Sequence, residues 1–257
     1  MVTEPVSVVI PYSPRYTPES MLEEAKRTVA EQTVPTELVV VDDVDTGPAD
    51  ARNAGLDRAS TRYVAFLDAD DLWVPDKLER QLDRMAETGA GLCVQGSPTT
   101  LDDFVYDVFV GDLSEVTSAV LVDTDRVDVR FETGLDRGED LLYVLEAATA
   151  AGICCCPDLF SRRRHEASMT ATGMDVDTYR EHAKRFGYLV SQRVPAAQPY
   201  LPIYYTQLYT DLGRACHAAG EYDRAVEFLS RALRISPHPW TLVALLRSLA
   251  YRSVPLP

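Results

Sequence analysis

Lysine is nearly missing from this chain: Lys26, Lys77 and Lys184 are the only three in 257 residues. All other fixed cations are arginine, and 40 acidic residues outweigh 25 basic ones for a formal charge of −15. A surface of that sign repels phosphate backbones, which excludes a general nucleic-acid surface. Long apolar runs are missing too. No stretch approaches the roughly 20 apolar residues of a membrane-spanning helix. Residues 1–5 are polar and the first apolar run, residues 6–10, is too short for a secretion signal. The expected location is the cytoplasm, free or peripheral at the inner face of the cell membrane. Glycine is absent between Pro11 and Pro18, where a glycine-rich phosphate loop after a first strand would have to lie. Cysteine is sparse, and Cys93, Cys154, Cys155, Cys156 and Cys216 fit a reducing compartment. Three in a row alternate between the faces of a strand, a poor spacing for a metal, so they read as core packing.

What the chain has in abundance is aspartate. Abundant Asp with scarce Lys resembles the proteins of salt-loving archaea, whose acidic surfaces stay hydrated in concentrated salt; the plainer alternative is an ordinary acidic cytosolic protein. The acids also cluster. Apolar residues run to Leu67, and Asp68, Asp70 and Asp71 follow within four positions. A continuous apolar run is the pattern of a strand buried on both faces, and carboxylates past its end stand where open α/β sheets bind ligands. Acids so close repel unless they share a cation, and oxygen ligands suit Mg²⁺ or Mn²⁺. A solvated acidic turn, with Asp71 or Asp76 capping the next helix, explains the same residues.

Strand and helix patterns alternate around this stretch, predicting a parallel sheet with right-handed crossovers. Residues 6–10 read as the first strand, residues 17–32 as a helix, and residues 38–41 as a second buried strand ending in Asp42 and Asp43. A helix over 49–60 leads to the strand before Asp68, and Pro75 opens the next helix. Residues 91–94 make a fourth strand. The runs at 104–110 and 118–122 read as strands that turn the sheet mixed. A helix over 139–151 buries Leu141, Leu142, Leu145 and Ala148 and stops at Gly152; residues 153–156 form a further strand. From Asp175 the pattern is helical. Tyr209, Leu212, Gly213, Cys216, Ala225, Leu229, Ala232 and Pro237 match the spacing of one tetratricopeptide repeat. Such a repeat, over about 203–237, must stack on neighbours, and residues 239–251 are expected to cap it.

Five ordered pieces, VSVVIPY (6–12), VVVDD (39–43), ADARNAGL (49–56), VAFLDADDLW (64–73) and GEDLLYVL (138–145), resemble inverting family 2 glycosyltransferases of the GT-A fold. The resemblance covers about the first two-thirds of the chain. It implies an α/β GT-A domain over 1–172, a Rossmann-like mixed sheet flanked by helices that binds a nucleotide-diphosphate sugar. A small all-α region over 173–257 follows. Pro11 and Tyr12 would border the nucleotide, and Asp42 and Asp43 would take hydrogen bonds from base or ribose. Arg52 and Asn53 would stand near base or diphosphate, where a planar cation suits acceptor oxygens; a surface ion pair is the alternative for Arg52. Asp68, Ala69 and Asp70 match the family's DxD motif. Asp70 would hold the divalent cation, Mn or Mg, and Asp68 the ribose or the metal shell. Asp140 matches the catalytic base, and Glu139 would orient the helix start or contact the acceptor, although acids in a helix's first turn also simply complement its dipole. Arg164 would pair a phosphate and His165 would complete the metal shell, unless this basic loop is only solvated.

The implied reaction moves a sugar from a nucleotide-diphosphate donor, a UDP-sugar foremost, to a hydroxyl of a glycan or lipid-phosphate-linked acceptor. The expected setting is protein N-glycosylation or surface glycan assembly. The helical region is the expected site of any protein partner or self-association. Two rivals stand beside this reading. A sugar-phosphate nucleotidyltransferase shares the sheet and acids but needs the missing glycine loop. A non-catalytic scaffold acting through the helical repeat would have no use for Asp68, Asp70 and Asp140.

Overall fold

A computed structural model of the chain describes residues 4–42, 47–97, 100–110, 117–135, 137–163 and 175–252. Two compact units, Met1–Gly173 and Met174–Pro257, make up the chain.

In the first unit a six-stranded sheet has the order β2-β1-β3-β6-β5-β7. β1 (Val6–Tyr12) lies between β2 (Thr36–Asp42) and β3 (Tyr63–Phe66), parallel to both. Its Val6, Val8, Val9 and Ile10 are fully buried, as a strand covered on both faces requires. β2 differs from the expected buried strand. It is an edge, and Leu38 is 43% exposed; an apolar run of four cannot distinguish an edge from a centre. β5 (Leu92–Gln95) pairs with β7 (Ile153–Cys156) in parallel, and β6 (Leu121–Asp123) runs antiparallel between β3 and β5. That reversal makes the sheet mixed, as expected. Cys154 and Cys156 are buried and all five cysteines are free.

Helices α1 (Glu19–Ala30), α2 (Pro48–Arg58), α3 (Lys77–Thr88), α4 (Leu101–Val110) and α5 (Glu139–Ala151) complete this unit. Gly55 of α2 lies so close to β1 that a Cβ there would stand 2.2 Å from a Val9 methyl. The predicted strand at 104–110 is wrong: this segment is α4. Its buried Phe104, Val105, Val108 and Phe109 repeat at helical spacing, which a short apolar run conceals. The expected strand at 118–122 is present as β6 but starts later, at Leu121, because Thr117–Ala119 form a 3₁₀ turn before it. Helix α3 begins at Lys77, with Asp76 before it, so Pro75 lies just upstream of the helix rather than opening it. Helix α5 buries Tyr143 and Val144 besides Leu142, Leu145 and Ala148, whereas Leu141 is only half-buried.

The second unit contains α6 (Val176–Arg193), α7 (Leu201–Ala218), α8 (Tyr222–Ile235) and α9 (Pro239–Arg252). Asp175 caps α6 by accepting from the backbone N–H of Asp177 and Thr178 at 2.9 and 3.1 Å. The prolines at 195 and 199 lie in a 3₁₀ segment before α7. Ala183, Leu208, Leu212, Cys216, Ala225 and Phe228 form the core of this unit.

Candidate active site

The carboxyl ends of β1 and β3 set the position of the acidic stretch. Leu67 N–H still donates to Val9 at 3.0 Å, and the chain then turns, with Asp71 N–H donating to the Asp68 carbonyl at 3.0 Å. A two-stranded ribbon follows: β4 (Leu72–Trp73) pairs antiparallel with β8 (Phe160–Ser161). It brings Arg163 to the acids. The Arg163 N–H donates to Asp71 at 3.3 Å, and its guanidinium donates to the Asp70 carbonyl, to Glu24 and to the Met21 carbonyl.

The Thr117–Ala119 turn is where the parts meet. Ser118 Oγ accepts from Asp68 N–H at 3.1 Å and donates to Asp71 Oδ2 at 2.6 Å. Its carbonyl accepts from Trp73 Nε1 at 2.7 Å. Thr117 Oγ1 donates to Asp140 Oδ2 at 3.1 Å, and Asp140 Oδ1 accepts from the Leu141 N–H at 2.8 Å. Asp140 is thus oriented through both oxygens while remaining half-buried.

Arg52 ties the two acidic segments together. Its Nη2 donates to Asp68 and its Nη1 to Glu139, each at 2.9 Å. The guanidinium is 5% exposed and lies over the Phe131 ring, 5.4 Å from its centroid. Phe131 stacks on Tyr143 at 4.0 Å and meets Phe66 edge-on at 5.1 Å. Burial works against the arginine's charge, yet Asp68, Glu139 and Asp140 outweigh it and raise its pKa above the ordinary value. Burial, then Asp140, pushes the Glu139 carboxyl up, with Arg52 opposing. Breaking such a pair would strand a buried charge.

Asp71 does not cap the next helix. It is 5% exposed and bonded to Ser118 and Arg163. Burial, reinforced by Asp68 and Asp70, pushes its carboxyl from the ordinary 3.8 up to about 7.

The chain is similar to known proteins in sequence and in fold. Residues 44–109 match the Glycosyl transferase family 2 model. Over that stretch the chain is similar to family 2 glycosyltransferases. It is 36% identical over 135 residues to the putative teichuronic acid biosynthesis glycosyltransferase TuaG of Bacillus subtilis, covering 39% of this chain and 52% of that one. It is 40% identical over 80 residues to the succinoglycan biosynthesis protein ExoW of Rhizobium meliloti, covering 30% and 25%. A third relative is the Escherichia coli protein named UDP-Glc:alpha-D-GlcNAc-diphosphoundecaprenol beta-1,3-glucosyltransferase WfgD, 54% identical over 39 residues, 15% of either chain. The chain thus spans about half or less of the curated relatives' length. Among solved structures, S. aureus TarS 1-349 in complex with UDP-GlcNAc superposes with a TM-score of 0.65 at 17% identity, covering 96% of this chain and 88% of that one. The fold is GT-A-like, with a helical C-terminal region.

At this sheet edge hydrogen bonds join Arg52 to Asp68 and Glu139, Ser118 links Asp68 to Asp71, and Asp140 is held by the neighbouring Thr117. Strand register sets Tyr12 beside Asp42, and Pro11 precedes Tyr12 on β1. Ala69 is buried between the acids. Asp70 is half-buried, with its carbonyl held by Arg163. Asn53 has a job that the sequence did not suggest. Its carboxamide donates to the Phe131 carbonyl and accepts from the Phe131 N–H, both at 2.9 Å, so it fastens the aromatic floor. Asp43, Arg164 and His165 lie outside the described residues. Thr117, Ser118 and Phe131 are the site's unforeseen members. A serine or threonine followed by a short apolar strand is too common a pattern to have marked the first two.

Proposed function

We propose that this chain is an inverting glycosyltransferase that moves a sugar from a nucleotide-diphosphate sugar, a UDP-sugar foremost, to an acceptor hydroxyl during surface glycan assembly. One observation carries the reading: Asp68, Asp71 and Asp140 meet on a single turn at the carboxyl edge of a GT-A-like sheet. Asp140 is the general base. Its oxygens are oriented by Thr117 and Leu141, and its partial exposure leaves an approach for the acceptor hydroxyl, whose proton it takes as the oxygen attacks. Glu139 and Arg52 fix the start of α5, and with it the base, relative to Asp68. Pro11, Tyr12, Asp42 and Asp43 border the nucleotide.

Asp68 and Asp70 would hold a divalent cation. No group of three His, Cys, Asp or Glu residues among the described residues could hold a metal ion. Mg²⁺ is typically held by one or two carboxylates and takes its other oxygens from substrate phosphates and water. Two acids therefore fit a cation that arrives with the donor. When bound, Mn or Mg supplies charge neutralisation for the departing diphosphate. Arg164 and His165 keep the roles that the resemblance implies, at the diphosphate and the metal.

The printed name of WfgD supports an acceptor sugar carried on a lipid diphosphate, with protein N-glycosylation as the other setting. The acidic, lysine-poor composition suits a salt-rich cytoplasm, and α7 with α8 forms the tetratricopeptide-like hairpin. Thermal denaturation with UDP or GDP, each with and without Mn²⁺, tests the proposal. The expected result is a rise of several degrees for UDP that requires the metal. No shift with either nucleotide overturns the reading.

A further inference from the structure

The last helix, α9, is built inside out. Its buried side chains are Thr241 and Ser248. The Thr241 and Thr210 hydroxyls share a hydrogen bond at 3.4 Å, and Ser248 Oγ meets His217 Nδ1 at 3.0 Å. Trp240, Leu242, Val243 and Leu246 are 69%, 47%, 54% and 57% exposed. At 3.6 residues per turn, Val243 and Leu246 point away from the Thr241–Ser248 seam, and Trp240 and Arg247 flank them on one side.

Charge follows the same division. In a chain with 40 acids and 25 bases, residues 239–252 contain no Asp or Glu. Of their two arginines, Arg252 pairs with Asp223 at 2.6 Å. Arg247 instead lines a groove of about 410 Å³ together with Arg214, His217, Leu229, Trp240 and Val243, and no carboxylate lines it.

We propose that α9 docks this chain on an anionic phospholipid surface, with Trp240, Val243 and Leu246 in the acyl boundary and Arg214 and Arg247 at the headgroup phosphates. An exposed apolar face with an aromatic at its end and arginines beside it is the composition of a helix lying in a membrane interface. Arginine stems cover apolar surface while the guanidinium reaches the phosphates. A second copy of the chain fits less well, because a two-fold contact would set this arginine-bearing, acid-free face against itself. Docking gives the proposed transfer a purpose, since an acceptor on a lipid diphosphate lies at that surface. It is measured without catalysis.

The test floats the full chain with vesicles of phosphatidylcholine alone or mixed with phosphatidylglycerol, in salt where circular dichroism shows it folded. Flotation with the mixed vesicles and a blue shift of Trp240 emission are expected, with buried Trp73 as the internal reference. Val243→Asp with Leu246→Asp, both at exposed positions, should abolish flotation while circular dichroism stays unchanged. Arg247→Gln should weaken binding about fivefold. Failure to float, equal binding to both vesicles, or unchanged binding by the double variant overturns the proposal. So does light scattering that shows a dimer dissolved by the double variant, with no flotation. A UDP-dependent thermal shift in the same samples separates the readings: the shift without flotation overturns docking alone, and flotation without the shift overturns the transferase reading alone.

Discussion

The acidic edge of the sheet and the last helix depart from the usual arrangement of a folded chain in opposite directions. At the sheet edge, charged groups are drawn inside: Arg52, Asp71 and Glu139 are each 5–6% exposed. At α9, apolar groups are left outside while Thr241 and Ser248 are buried. Buried charge is costly unless paired, and exposed apolar surface forgoes stabilisation. The sheet edge meets its cost within the chain, through Arg52, Ser118 and Arg163. At α9, nothing among the described residues covers the face. One region is paired mostly from within, with Arg52 Nε the buried side-chain atom left without a partner among the described residues; the other leaves its apolar face open.

If the sheet edge is organised for chemistry, its largest loss should be of turnover and not of stability. Asp140→Asn should lower transfer by about 100- to 10,000-fold while UDP still shifts the melting temperature. Turnover retained in a sugar-nucleotide assay would remove Asp140 as the base. Arg52→Met tests whether the network also supports the fold. It leaves Glu139 and Asp68 without their cation and should cost about 3–5 kcal/mol in denaturant unfolding, partly recovered by adding Glu139→Gln. Ser118→Ala should cost about 1–3 kcal/mol by removing a partner from buried Asp71; an unchanged unfolding midpoint would show that the turn is not the junction. Asp70→Ala should leave the fold intact and abolish the Mn²⁺ requirement of UDP binding, whereas unchanged Mn²⁺ affinity by calorimetry would refute its role.

The smallest effect concerns Lys77, which is fully buried at the start of α3. It donates to Gln81 at 2.6 Å and lies 4.0 Å from the Trp73 ring centroid. Burial lowers its pKa from 10.5 to about 7. Between those values the unfolded chain holds a proton that the folded chain has lost, so this group's contribution to stability rises with pH across that window. Below it, both states are protonated and the folded chain bears a buried charge. Lys77→Met should therefore raise the melting temperature most at and below neutral pH and flatten its rise above. A pH series of thermal denaturation curves checks the sign.

Much of this architecture could be read in advance wherever a pattern was long or bounded. Helix α5 and strand β7 fall at the expected residues, because Gly138 and Gly152 mark the ends of α5. The short apolar run at 104–110 was ambiguous between strand and helix, and β2 gave no sign of being an edge. The acids of the site were visible as a cluster, but their partners were not. Arg52 and Glu139 are 87 positions apart, and no single-sequence pattern joins them. Their separation also explains why Arg52 read as a ligand contact or a surface pair, when two of its nitrogens are spent on the chain's own carboxylates. Lys77 defeated composition outright: one of three lysines in a strongly acidic chain lies in the core.

Gly55 is neither acidic, nor exposed, nor in the network, yet it sets how far Arg52 can reach. Because Val9 leaves no room for a methyl group there, adding one would lift α2 from the sheet and carry the guanidinium, one helical turn away, off Asp68 and Glu139. Glycine at position 55 thus serves as a spacer of zero thickness. A lesion at that position would read as lost catalysis in a chain whose acids were all intact.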